Sequence, residues 1–477
     1  MIKKRYRYLT AAGFAIISVI FLALRLKTLN HLLMGDEAWN ILALRAFLTN
    51  AVHDPFYHYF YFHPPLYMVF AALLEPFRAG FDIRLESLSL LFSYLTLVAT
   101  YFLGKKIGGV RFGLLSALFL SLMPFSIAYD TCIKSDSLTA ALGYLAIILF
   151  LNRKFFWCAV ALSFSLLAKE TALFIVIAIS ILMFIFKEKR PIRKLALIYL
   201  VIFALTSWWF IYFSALPGSF KPIYFSILKD HPACQYSYLQ HFKKLYVDLG
   251  MPLLIAFIAG LFYLGHLIFY KKEYRWSIPI VVAASVYTVT AFIILKEPWF
   301  CLAAVPALAM ISAGGALWLV RKSKKLRIFL VVLLLLVGSI IYKGLAFSYN
   351  DYHAKVYPHG WPISIASRDL ATYLNKNMKD DDRLMITVDM AASPAFIFYW
   401  KPHLIQVITG QEKTEEMVSQ IIKNKISWFV DADPTDPERR LHSLGLALNG
   451  TILGEPDIVG CAHVWKTERL WPENKEK

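Results

Sequence analysis

Long apolar runs separated by short cationic loops restrict this chain more than any other feature does. The runs begin at Tyr8 to Leu29 and recur as far as residue 347. Many reach the roughly 20 residues that a helix needs to cross a hydrocarbon core of about 30 Å. Between them lie "GKKIGGVR" (104–111), "KEKRPIRK" (187–194), "KKEYR" (271–275) and "RKSKKLR" (321–327). Cationic loops stay cytoplasmic during insertion, so the pattern predicts a polytopic α-helical membrane protein. Composition agrees, with 58% of the 477 residues hydrophobic and 17% charged. A soluble protein averages about 45–50% and about 25%. The excess of 50 Lys and Arg over 32 Asp and Glu would suggest nucleic acid in a soluble domain. Here the excess sits in the loops, and no nucleic-acid partner is expected.

The first run has a basic start, "KKRYRY", like a signal peptide. It is long and lacks a small-residue cleavage site, so it reads as a retained anchor. Taking each cationic loop as cytoplasmic fixes the parity of the rest. Span 8–29 goes outward from a cytoplasmic N-terminus, and Leu85 to Leu103 returns inward. The run Leu66 to Phe77 is too short to cross and is bracketed by Pro64, Pro65 and Pro76; it reads as a helix on the outer interface. Segments near 112–128, 136–151, 155–168, 171–186, 195–214, 251–270, 276–295, 299–320 and 327–347 then alternate. The expectation is eleven crossings in residues 1–349, with a first outer loop at 30–84 and the C-terminus outside, in a plasma or cytoplasmic membrane.

Residues 350–477 carry charge throughout. "RLMITVD", "HLIQVI" and "ISWFVDAD" read as strands, whereas "IASRDLATYLNKNM", "TEEMVSQIIKNK" and "PERRLHSLGLALNG" read as amphipathic helices. Strands alternating with helices predict a small extracytoplasmic α/β domain.

With this topology the unusual polar residues collect on the outer face: "GDEAWN" (35–40), "HPPLY" (63–67), "YDTCIKSDS" (129–137), "AKET" (168–171) and "KEPW" (296–299). A charge in such a place costs roughly 2.5–3.5 kcal/mol at a helix centre, and less near the interface, unless paired or wetted. Several together predict a polar cavity opening outward. Each also has a plainer reading. Lys169–Glu170 and Lys296–Glu297 could be turn charges reaching interfacial water. Asp130 and Asp136 could be helix caps, as could Ser135. Asp36 and Glu37 could cap the helix "EAWNILALRAFL". His53, His58 and His63 read as interfacial packing rather than metal ligands. The five cysteines are scattered and define neither a disulfide framework nor a metal knuckle. Cys132 and Cys234 could pair if both face outward, and free thiols are the alternative.

The order of "DE" after the first span, "HPPLY", and a "D-x-L" start to the fourth span resembles the GT-C membrane glycosyltransferases. The branch is that of the protein O-mannosyltransferases and the lipid A aminoarabinose transferases. "LLAKET" is similar to its Lys-containing turn, and "KEPWFCLAAVPALAMISAGG" to its basic–aromatic–Pro segment, with Pro298-Trp299 in place of an Arg-Tyr pair. The resemblance implies a polyprenyl-phosphate sugar donor and a lipid, glycan or protein acceptor. It implies Asp36 as the base on the acceptor, with Glu37 beside it. Lys296, Lys169, His63 and Trp299 would hold the donor phosphate, with Lys134 and Lys229 as further outer cations. Asp136, Glu170 and Tyr67 would touch substrate, and Asp130 has no counterpart. No divalent metal is required by a phosphosugar leaving group, and no clear metal set is present. A transporter or flippase is the alternative; it predicts internal repeats and broken segments at mid-membrane, and neither is evident.

Overall fold

The computed structural model describes residues 2–29, 31, 35–49, 64–74, 81–215, 239–292, 298–322, 360–379, 382–387, 404–408, 423–432, 457–459 and 462–466. The chain divides into two compact units, one of Met1–His31 with Ala46–Tyr352, the other of Leu32–Arg45 with His353–Lys477. In chain order the helices are α1 (Ile2–Leu26), α2 (Gly35–Leu48), α3 (Leu66–Ala72), α4 (Phe81–Gly108) and α5 (Val110–Leu122). Next come α6 (Pro124–Tyr129), α7 (Asp136–Leu151), α8 (Phe155–Ala168), α9 (Leu173–Ile185) and α10 (Pro191–Ala215). They are followed by α11 (Gln240–Leu249), α12 (Met251–Phe269), α13 (Ser277–Phe292), α14 (Val305–Lys322) and α15 (Gly360–Asn377).

Among the described residues six helical stretches are long and apolar enough to cross a membrane: 8–26, 83–108, 191–211, 251–269, 274–292 and 299–321. Four more apolar helices, at 110–122, 136–151, 155–168 and 170–185, are shorter. The run 327–347 lies outside the described residues. The expected span 112–128 is two helices, α5 and α6, because Pro124 has no N–H to continue the ladder and pushes Met123 to extended backbone (φ −72°, ψ 122°). By contrast, α7 and α8 have the predicted bounds, each closed by charged or polar residues at 152–154 and 169–170.

In the first unit α12 packs on α14, α7 on α4 and α8, α4 on α5, and α9 on α13. The α12–α14 crossing is close because both partners lack a side chain there. A Cβ on Gly260 would strike the Ile311 carbonyl, and one on Gly315 would strike the Ala256 carbonyl and the Gly260 nitrogen. Small residues let helix backbones approach where no hydrophobic effect drives them together. Outward faces stay apolar: Ile16 and Val19 on α1 and Phe203 and Ile211 on α10 are all more than 60% exposed.

The second unit holds α2 up to Arg45, α15, and strands β1 (Arg383–Thr387), β2 (Leu404–Ile408), β3 (Trp428–Ala432), β4 (Asp457–Val459) and β5 (Ala462–Lys466). They form one sheet in the order β2-β1-β3-β5-β4. β1 pairs in parallel with β2 and β3, while β3–β5 and β4–β5 are antiparallel. Trp428 Nε1 donates to Asp382 Oδ2 at 2.9 Å, and the Trp428 ring meets Tyr373 of α15 edge-on. The predicted helices at 414–425 and 437–450 fall largely outside the described residues.

Candidate active site

The first residue of α7 is Asp136. Its predecessor Ser135 takes the N-cap position with no side-chain cap, and the Asp136 carboxylate has a different partner. Lys169 Nζ donates to both of its oxygens, at 3.0 and 2.8 Å, and neither side chain is more than 5% exposed. Local backbone brings the lysine there: α8 ends at Ala168, Lys169 is extended (φ −161°, ψ 143°), and a 3-10 turn starts at Glu170. One residue of extended chain between two helices turns the ammonium back toward α7. The reading of Asp136 as a cap therefore gives way to a buried ion pair. The reading of Lys169 as a turn charge reaching water gives way with it. Glu170 itself is exposed.

Beside this pair Lys134 Nζ lies over the ring of Trp299, 2.9 Å from its centroid, and both residues are buried. A cation over an aromatic face is attracted by the ring quadrupole, more so when dry. The Trp299 ring is also 6.3 Å from that of Tyr129. Trp299 belongs to a 3-10 segment, Pro298–Ala304, which Tyr144 of α7 ties down by donating to the Ala303 carbonyl at 3.0 Å. So the substitution of Pro-Trp for the expected Arg-Tyr places an aromatic face against an ammonium.

Arg25, which sequence reasoning passed over, is fully buried near the end of α1. Its Nε donates to Asp130 Oδ2 at 2.8 Å and its Nη2 to Ser126 Oγ at 2.7 Å. Ser126 in turn donates to Asp130 Oδ2 at 2.6 Å, and the backbone carbonyls of Phe21, Leu120 and Ser121 accept the remaining guanidinium contacts. Asp130 is thus the partner of Arg25 and not a cap. The available signal was the charge itself, since an arginine inside a membrane-length run demands a partner. The tie continues along the chain. Thr131 Oγ1 donates to Thr28 Oγ1 at 3.1 Å, and His31 Nδ1 lies 3.4 Å from Glu86 Oε1.

These polar groups lie in turns and at helix ends that the expected loop-charge parity puts on one side. The opposite end of the first unit has its own set. Lys106 bonds Asn152, Arg153 Nε is 3.6 Å from Glu188 and Lys194 is 2.6 Å from it, and Trp276 bonds Glu273 at 2.9 Å. Tyr67 of α3 packs into the first unit, with its hydroxyl 2.9 Å from Ser89 Oγ. Cys132 Sγ lies 3.5 Å from the Ala128 carbonyl. His63, Lys229, Cys234 and Lys296 lie outside the described residues.

In the second unit Asp36 and Glu37 fall in the first turn of α2. Glu37 is fully buried.

The chain shares its fold with solved structures. The chain is similar over 99% of its length to 99% of ArnT from Cupriavidus metallidurans in the apo state, with a TM-score of 0.64 at 15% identity. The structure of that ArnT bound to undecaprenyl phosphate matches with a TM-score of 0.61 at 14% identity, over 98% of this chain and 99% of that one. The archaeal oligosaccharyltransferase AglB from Archaeoglobus fulgidus, in complex with an inhibitory peptide and a dolichol-phosphate, matches with a TM-score of 0.57 at 10% identity. That match covers 89% of this chain and 69% of AglB. No protein-family model and no characterised protein matches by sequence.

Proposed function

We propose that this protein is an integral membrane glycosyltransferase that moves a sugar from a polyprenyl-phosphate donor to an acceptor on the outer face of the membrane. The observation that carries this reading is the end-to-end fold similarity to ArnT, including a form holding undecaprenyl phosphate. In this reading the chain crosses the bilayer eleven times, and residues 350–477 form an extracytoplasmic α/β domain. Asp36 takes the proton from the acceptor hydroxyl or amine as it attacks the sugar carbon, while the lipid phosphate departs in line. That leaving group needs little acid help. Its charge needs fixed cations in a partly dry site, where such contacts are worth most. Lys296, with His63, supplies them; Lys169, held by Asp136, and Lys134, held over Trp299, complete the cationic rim. Glu37 orients Asp36, and Glu170 and Tyr67 border the substrate.

The test is mass spectrometry of envelope lipids, glycans and proteins from cells with and without the gene. The expected result is loss of one sugar residue from a defined acceptor, restored by the wild-type gene and not by Asp36→Asn. Identical envelope masses, together with altered transport of a lipid-linked sugar, would overturn the proposal.

A further inference from the structure

At the end of the first unit opposite Asp136, three tight turns carry four basic residues with positive φ. They are Arg153 at 60°, Lys187 at 51°, Arg190 at 55° and Lys272 at 58°. This is left-handed backbone, where a Cβ crowds the carbonyl and where helices that end this way usually have Gly. The chain does use glycine at this end, at Gly109 with φ 86°, where α5 begins. Long cations at the other four positions therefore carry strain that a glycine would relieve.

Capping the helices does not require these side chains. Main-chain N–H groups already close the turns: Arg153 onto the Phe150 carbonyl at 2.8 Å and Lys187 onto that of Phe184 at 3.0 Å. Local acids are few. Residues 104–111, 152–154, 186–194 and 270–275 contain three, two, five and three Lys or Arg, against Glu188 and Glu273. Both glutamates are engaged, the first by Arg153 and Lys194 and the second by Trp276. The turns lie together at one end. Arg153 reaches Glu188, Lys106 reaches Asn152, and the Trp276 ring meets Phe112, next to the turn after Lys106.

All four cations are exposed, and each lies within four residues of an exposed apolar side chain: Trp157 for Arg153, Phe184 for Lys187, Ile192 for Arg190, and Tyr270 for Lys272. Charge beside apolar surface at the ends of membrane helices matches a lipid headgroup above its acyl chains. It does not match a free anion, which has no use for the apolar neighbours. We infer that the left-handed cations Arg153, Lys187, Arg190 and Lys272 form a docking collar for the phosphodiester headgroups of anionic phospholipids. This inference is independent of the transfer reaction.

The experiment compares thermal unfolding of the full-length protein in nanodiscs of phosphatidylcholine alone and with one quarter phosphatidylglycerol. Wild type should melt several degrees higher with phosphatidylglycerol, and that shift should shrink in about 0.5 M NaCl as charges are screened. The variant Arg153→Gly, Lys187→Gly, Arg190→Gly, Lys272→Gly should melt at or above wild type in phosphatidylcholine. It should keep less than half of the wild-type phosphatidylglycerol shift. A full shift in the variant, or a salt-insensitive one in wild type, would overturn the inference. So would a variant that melts lower in phosphatidylcholine, which would make the cations props of the fold. Inorganic phosphate added to phosphatidylcholine discs should leave the melting point unchanged. A shift equal to that of phosphatidylglycerol would identify an ion site and not a lipid collar.

Discussion

Both oxygens of the Asp136 carboxylate receive the Lys169 ammonium, at the junction of α7 with the turn between α8 and α9. A buried pair of this kind adds little over apolar residues of like size, but stranding one partner is costly. Asp136→Asn should therefore lower stability by about 3–5 kcal/mol, read as a lower melting temperature in detergent. Adding Lys169→Met should recover much of that loss, and additive losses would mean the two charges do not depend on each other. Other substitutions act on the reaction. Asp36→Asn keeps shape and should insert and bind donor while transfer falls about 10²–10⁴-fold. Near-normal turnover would leave Asp36 as a helix-end carboxylate only. Lys296→Ala should weaken donor use by roughly 1.5–3 kcal/mol, or about ten- to a hundredfold. An unchanged apparent donor affinity would remove Lys296 from the site.

Helices and strands differ in how far local sequence foretells them. The bounds of α7 and α8 were legible because polar residues interrupt apolar runs there. The break between α5 and α6 was not, because Pro124 hides inside an apolar run and signals only through backbone chemistry. Of the strands, β1 to β3 carry β-branched runs, whereas β4 has only three residues, and β4 and β5 are held by pairing with each other and, through β5, with β3. The Arg25–Asp130 pair spans 105 residues of sequence, so composition showed two odd charges and not their match. Packing between elements was equally invisible, and it gives a test. Gly315→Ala must push α12 and α14 apart and should cost about 1–3 kcal/mol. Gly265→Ala on α12 meets nothing within 4 Å and should be neutral or gain up to about 1 kcal/mol. Equal effects on detergent melting would show that the crossing is not close-packed.

For the molecule as a whole, the proposed orientation rests on where the loop cations lie. A membrane-impermeant thiol reagent added outside should label Cys461, and labelling only from the cytoplasmic side would invert every assignment of the site. Length has a second consequence. The apolar helices at 110–122, 136–151, 155–168 and 170–185 have 13 to 16 residues, which at 1.5 Å per residue is about 20–24 Å. A typical hydrocarbon core is about 30 Å thick. Three of these helices, at 136–185, are consecutive and meet at the Asp136–Lys169 pair; in the proposed eleven-span reading each of them crosses, and on that flank the two leaflets draw closer to match their length. The protein then acts as a dent in the membrane, and bilayer thickness becomes a variable of its activity. Turnover should be higher in lipids with short acyl chains than in lipids with long ones, because thicker bilayers resist the deformation that brings headgroup depth down to the ion pair.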